Sequence, residues 1–546
     1  MAKPRESERV PFSDGRPIEA EVLYGLLGDS EDVERVDGPR PADCPGGGGG
    51  IRHISPVRDE DSDLQRLEDM MVLEFVWKLM DSLEEFHNSR RPPGGPGRKR
   101  EYKLADIQVF ETGTHFYGNS DSAWRNLKDP DTWKRLCRAV ERAFPDDETR
   151  RLSEKPPSRH QIYRARRDYF SGDALEEFRC QYRRIALEAA RDIGIFDPKA
   201  GSWTHPDKTQ CIVADSSWIP SATRHHREDA TDPETGKTRK FDPRGDYHHT
   251  RDNKPTKVPG RDLIMLSCRN QHSNERIIID SDLMPHKKSP ERKNRNDADF
   301  AVDMLEDLLA ENGDLLCGGP GGRSGGLRGF IYDMAMDSEA NDRVLSNKVL
   351  PIDKVRRLKG GKYRGGNLGP HEFKTRSGST EHHDVKTCNG STWVLLPDSR
   401  GTEIAVPLRR KHLYWGDATR QGYTAYCEVE IPNEPAIPRG LRGATTTVRL
   451  NSTPEEIHNN PHTRRTRSLR PIPEADPDFE IHGGREDIES TFSNLKYCIR
   501  GRLRSIHEDF NRFNILSYQI LRLSRTLSAY HKRTATTATQ AIPIAA

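Results

Sequence analysis

The sequence predicts an α/β protein with a helical N-terminal region and a β-rich segment set into its second half. Three observations carry that prediction. Residues 61–200 hold apolar stripes at helical spacing. Residues 211–353 hold short β-rich runs that give way to strand–helix alternation. Residues 391–450 hold four further β-rich runs.

Residues 1–60 are rich in Gly, Pro, Asp and Arg and include GGGGG at 46–50, so a disordered tail is expected there. From 63 to 88, Leu64, Leu67, Met71, Phe75 and Leu79 recur at three- and four-residue steps, the spacing of one helix face. A second helix is expected over 131–144, with Asp131 as N-cap and Trp133, Leu136, Val140 and Phe144 inward. Ser158 can cap a short helix over 158–170 that carries Arg159, Arg164, Arg166 and Arg167, and a longer helix follows over 173–193. Helix, basic helix, helix suits DNA binding. On these residues alone, a bundle with one solvated basic face is favoured over it.

CIVADSSWI (211–219), DLIMLSC (262–268) and ERIIIDS (275–281) read as strands joined by hairpins. A helix at 297–311, a strand at 329–335, a helix at 337–347 and the run VLPID (349–353) complete an α/β layer. Residues 356–390 are Gly- and charge-rich. TWVLLPD, EIAVPLR, TAYCEVEI and TTTVRL then read as strands of a separate β-rich insertion, 356–478. Helical patterning returns at 484–500 and 504–530, and 532–546 is expected to be a loose tail.

Composition narrows the class. A chain of 546 residues has room for more than one domain. Lys plus Arg is 87 against 85 Asp plus Glu, so a net charge of +2 leaves only local basic clusters to look for. A mean hydropathy of -0.88 implies extensive solvated loop or tail. The nine cysteines form no Cys-x-x-Cys pair, which argues against a disulfide framework and for a reduced, cytoplasmic setting. No run approaches 18 apolar residues, so no membrane span is expected, and MAKPRESERVPFSDG lacks a signal-peptide core.

The stretch GREDIESTFSNLKYCIRGR (484–502) places three acids within four residues. At about 100° per residue, Arg485, Glu489 and Lys496 fall within roughly 40° of one another. They stand beside an apolar stripe of Ile488, Phe492, Leu495 and Ile499. Asp487 projects to the opposite side and is expected in solvent; Glu486 is intermediate. Alone, Arg485 and Glu489 would be an ordinary i,i+4 pair. Two further acids shift the balance. Asp215 ends the run after Cys211–Ala214, and Asp333 ends the run after Gly329–Tyr332. Three carboxylates from separate elements can hold hard divalent cations, and a pair of such ions supports phosphoryl transfer.

In these motifs the chain resembles the DDE transposases of prokaryotic insertion sequences. One group of them carries a Tyr-Arg-Glu-Lys signature. The Arg, Glu and Lys spacing is met by Arg485, Glu489 and Lys496, while the Tyr position holds His482. Asp215-Ser216-Ser217 and YDMAMDSEAN (332–341) match the settings of the two Asp residues. The resemblance implies an RNase H-like mixed sheet flanked by helices and interrupted by a β-rich insertion. The core would span 201–355 and 479–531, after a helical DNA-binding region at 61–200. It implies Asp215, Asp333 and Glu489 as catalytic ligands of Mg2+ (or Mn2+). It implies DNA contacts by Arg485, Lys496, His482, Arg159 and Arg164. It also implies stacking of an unpaired base on a Trp of the insertion, for which Trp393 and Trp415 are candidates; burial in the insertion core is the competing reading for each. The expected partners are transposon terminal inverted repeats and target DNA, bound by a homodimer at the nucleoid. Two alternatives stay open: a nuclease of the same fold without strand transfer, and an inactive transposon-derived DNA-binding protein.

Overall fold

The computed structural model describes residues 16–27, 60–90, 100–225, 231, 235–249, 257–272, 274–317, 325–358, 361–398, 400–419, 422–459 and 464–540. Its first segment departs from the expected tail. Ile18–Glu19 (β1) pairs antiparallel with Ala405 and Ile404 of the β-rich segment. Ala20–Leu26 (α1) buries Leu23 against Trp393 and Tyr363. The rest of 1–59 lies outside the described residues.

The helix expected over 63–88 is two, Glu60–Met71 (α2) and Glu74–Ser89 (α3). The break is accommodated by Trp77, whose indole N–H donates to the Met71 carbonyl at 2.8 Å. Leu104–Tyr117 (α4) and Ser120–Leu127 (α5) were not expected. Every residue of α4 is buried, so it carries no apolar stripe to read. Its polar groups are matched inside the core: Glu111 with Arg166 and Asn514, Gln108 with Ser517, Asp106 with Ser153. Pro130–Ala143 (α6) is capped by Asp129 rather than Asp131, through the Thr132 N–H. Arg159–Tyr169 (α7) starts at a Ser158/Gln161 capping box, and Gly172–Asp192 (α8) follows.

The strands Cys211–Pro220 (β2), Asp246–His249 (β3), Lys257–Arg269 (β4) and Arg276–Leu283 (β5) form the hairpin part of a six-stranded mixed sheet. Asp297–Leu316 (α9) leads to Gly329–Ile331 (β6), and Ser338–Ser346 (α10) leads to Leu350–Ile352 (β7). The order is β5-β4-β2-β6-β7, with β3 beside the start of β4. β4 runs antiparallel to both neighbours, while β2, β6 and β7 are parallel.

The β-rich segment is an eight-stranded antiparallel sheet. Its strands are Gly365–Lys374 (β8), Thr380–Cys388 (β9), Ser391–Pro397 (β10), Glu403–Pro407 (β11), Arg409–Trp415 (β12), Ala425–Glu430 (β13) and Thr445–Arg449 (β14), with β1 at one edge. β8 and β9 fall in the region read only as Gly- and charge-rich. Along β8 only Phe373 is buried, so the hairpin shows little apolar alternation. After Pro454–Asn459 (α11) come Arg485–Cys498 (α12) and Glu508–Gln540 (α13). The last helix therefore runs well into the expected tail.

Strand alternation divides the core. Ile212 and Ala214 of β2 join a cluster with α2, α3, α4, α8, α9 and α13. Cys211, Val213 and Ile219 face the other way, toward Ile488, Phe492 and Leu495 of α12. The helices of 61–200 thus share one core with the sheet.

Candidate active site

Register places the first two acids. The parallel pairing of β2 with β6 matches Cys211 to Gly329 and Val213 to Ile331. Val213 and Ile331 share the α12 face, directly under Gly484, where an added Cβ would come within 3.8 Å of both. Two residues further along each chain, Asp215 and Asp333 are carried to that same face by the two-residue repeat of a strand. Asp215 is not at a strand end, as the sequence had implied: β2 continues to Pro220 and Asp215 pairs with Met265. What ends at Val213 is its pairing with β6.

α12 supplies the third acid. Ile488, Phe492 and Leu495 are buried against the sheet, and this fixes the helix rotation. Arg485 then reaches across the gap, with Nη2 3.5 Å from Asp215 Oδ2 and 3.1 Å from Glu489 Oε1. Lys496 Nζ donates to Ser217 Oγ at 2.7 Å. His482 Nε2 lies 3.2 Å from the carbonyl oxygen of Tyr332, the residue before Asp333, and its ring stacks on Phe479.

The electrostatics join these groups. Burial pushes the Asp215 carboxyl up to about 6; Arg485 and the Ser216 N–H oppose the rise, while Asp333 and Glu489 add to it. Burial alone would lower Arg485, but Asp215, Asp333 and Glu489 outweigh it and raise it. Burial lowers Lys496, with Asp215 opposing. Burial, then Lys354, lowers His482. Arg485 is thus the counter-charge shared by three carboxylates.

The donor set fits a hard divalent cation. All three side chains offer carboxylate oxygens, and the buried Asp215 lacks enough positive charge to hold its proton affinity down. As they stand, no three His, Cys, Asp or Glu side chains among the described residues gather around one ion position. The Arg485 guanidinium bridges two of the three. Glu489, with a side chain 53% exposed, is ion-paired only to it.

The expectation for Asp487 is overturned, and the competing readings of the two Trp residues are distinguished. Asp487 is buried, not solvated: it is clamped by Arg269 and by Arg276, the latter at 2.6 Å. Helix α12 packs on two sides, its apolar stripe on the sheet and Asp487 against the β4–β5 hairpin. Trp393 is fully buried among Leu23, Tyr363, Cys388 and Ala405, so no base can reach its ring. Trp415 packs on Trp203 at 4.3 Å and donates to the Leu345 carbonyl at 3.3 Å. Arg328, at the entry to β6, covers that same Trp203. Trp415 therefore lies at the end of the parallel strands opposite to Asp333. Arg159 and Arg164 are exposed on α7, Arg159 paired with Asp121 at 2.6 Å and Arg164 with Asp168 at 4.0 Å.

Asp353 was not singled out in the sequence. It follows β7, is fully buried, and is held by Arg470 at 2.6 Å, which ties the core to the segment returning from the β-rich sheet. An acid at the end of VLPID was the available signal.

No protein-family model matches the sequence, and no curated protein matches it. Among solved structures, a piggyBac transposase synaptic complex with hairpin DNA, determined by cryo-EM, aligns over 87% of this chain and 76% of that chain. The TM-score is 0.31 and the identity 10%, a likeness too slight to assign a fold. Among the described residues no helix is long and apolar enough to cross a membrane.

Proposed function

We propose that the chain is a DNA transposase of the DDE type, built on an RNase H-like core. The observation that carries this reading is the pairing of Asp215 and Glu489 through the guanidinium of Arg485, with Asp333 brought beside Asp215 by the β2–β6 register. The sheet supports it: three antiparallel strands joined as hairpins, then two parallel strands reached through α9 and α10, with the acids on the innermost pair.

Divalent ions held by Asp215, Asp333 and Glu489 would activate the attacking oxygen and stabilise the leaving one. The chain's own cations do the rest. Arg485 can fork onto a phosphate bound beside the acids, exchanging its carboxylate partners for phosphate oxygens. Lys496, about three helical turns on from Arg485, supplies a point charge on the same helix face and is oriented by Ser217. His482 braces the main chain next to Asp333. The substrates would be transposon-end phosphodiesters, cut to free a 3′-hydroxyl, and target DNA, attacked by that hydroxyl. A homodimer would synapse two ends.

The test is cleavage and joining of DNA bearing the gene's flanking sequence, in Mg2+ or Mn2+. Wild type is expected to cut and join, and Glu489→Gln to bind without cutting. Cutting without joining would indicate a nuclease of the same fold. Binding without cutting by wild type would indicate an inactive DNA-binding derivative.

A further inference from the structure

We infer that the C-terminal end of α12 and the adjoining face of α13 form a surface that tracks the phosphates of duplex DNA, built from Arg500, Arg504, Arg522 and Arg525. This inference rests on the proposed function and adds where the duplex flanking the cut would lie.

Among the described residues none of these four arginines is ion-paired. Arg500 donates to the Tyr117 carbonyl at 3.4 Å. Arg504 donates to the carbonyls of Gly118, Thr114 and Cys498. These carbonyls close the ends of α4 and α12 and hold the guanidiniums in place, while offering only the partial negative charge of a helix end against each full positive charge. The Nε atoms of Arg504 and Arg522 are buried with no hydrogen-bond partner. Glu111, the carboxylate that acts on Arg504, is committed to Arg166 at 2.7 Å.

Arg504 Nη2 donates to the Cys498 carbonyl at 2.7 Å, and Arg525, Arg522 and Arg504, with Arg66, all oppose the rise to about 11 that burial imposes on the Cys498 thiol; Arg500 joins Arg504 at the last carbonyls of α4, those of Tyr117 and Thr114. Burial lowers Arg504 and Arg525, and like charge adds to it, from Arg500 in the first case and from Arg522 and Arg66 in the second. Folding gains nothing from such crowding, whereas a polyanion does.

The backbone is consistent with a positioned charge. Arg500 takes φ 54°, a left-handed position at a helix C-terminus that favours glycine, and its side chain lies so close to Gly118 that a Cβ there would overlap it. Tyr497, next along α12, is 59% exposed. Arg500 follows Glu489 by eleven residues of helix or helix end, about 16 Å, which is the rise of roughly five base pairs. A duplex entering the carboxylate site would meet this surface within half a turn.

The test is duplex binding by the full chain in EDTA across a salt series, read by fluorescence anisotropy. Each phosphate contact contributes about 0.9 to the slope of log K against log salt. Arg522→Gln with Arg525→Gln is expected to lower the slope by about 1.8, and Arg522→Lys with Arg525→Lys to keep it. Arg525 is exposed, so Arg525→Gln alone, expected to lower the slope by about 0.9, keeps the test open if the double variant misfolds. An unchanged slope in the Gln variants, with wild-type cleavage and binding intact, would overturn this inference alone. Absence of salt-dependent duplex binding by wild type would overturn the proposed function with it.

Discussion

Replacing Asp215 by Asn is expected to stabilise the protein while abolishing its chemistry. Asp215 is 7% exposed, and its carboxyl is raised from 3.8 to about 6, first by burial and then by its acidic neighbours. A folded-state pKa above the unfolded one means stability that is fully present below pH 3.8 and lost as pH rises through about 6. Two pKa units correspond to about 3 kcal/mol of penalty for the ionised form at neutral pH. Asn removes that penalty. It has nearly the same shape, and its Oδ1 can keep the 2.8 Å bond from the Ser216 N–H. Denaturant melts of both proteins in EDTA should show Asp215→Asn more stable by up to about 3 kcal/mol at pH 8 and nearly equal to wild type at pH 4. Added Mg2+ should stabilise wild type and leave the variant unchanged, because only a state that binds the ligand gains from it. Equal stability at pH 8, or a difference that ignores pH, would refute the reasoning that Asp215 is a strained, charge-poor carboxylate.

Other outcomes follow from the same geometry. Asp487→Asn should cost about 2–3 kcal/mol in a thermal or denaturant melt, because it leaves Arg269 and Arg276 facing each other without their shared acid. The folded fraction should still bind DNA. Trp393→Ala should cost about 3–5 kcal/mol from an emptied core site, with the duplex affinity of folded protein unchanged; native gels of the soluble fraction would report this.

Elements with a one-sided apolar pattern were readable in the sequence. α6, α8 and α12 each bury an apolar stripe and so carry a helical period, while β2, β4 and β5, buried on both faces, show as short continuous apolar runs. α4 is buried all round, and β8–β9 is mostly exposed; neither leaves a period to find. The rotation of α12 was legible for Glu489 because Ile488, Phe492 and Leu495 define the docked face. It failed for Asp487 because the partners are Arg269 and Arg276, on either side of a hairpin turn more than 200 residues upstream. A projection of one helix contains no information about a second packed surface. Burial of Trp393 was one of the readings open in the sequence, but not the means of it. The residues that bury it include Leu23, in a segment whose composition reads as tail.

The central claim is that Asp215, Asp333 and Glu489 form one metal-dependent phosphoryl-transfer site. The most direct measurement is Mg2+-dependent nicking of a plasmid that carries the gene's flanking DNA, comparing wild type with Glu489→Gln and Glu486→Gln. Glu489 is paired to Arg485 at the acids, while Glu486 is exposed on the neighbouring turn. Wild type and Glu486→Gln are expected to nick, and Glu489→Gln, Asp215→Asn and Asp333→Asn are not, at equal DNA binding. Undiminished nicking by Glu489→Gln would contradict the central claim.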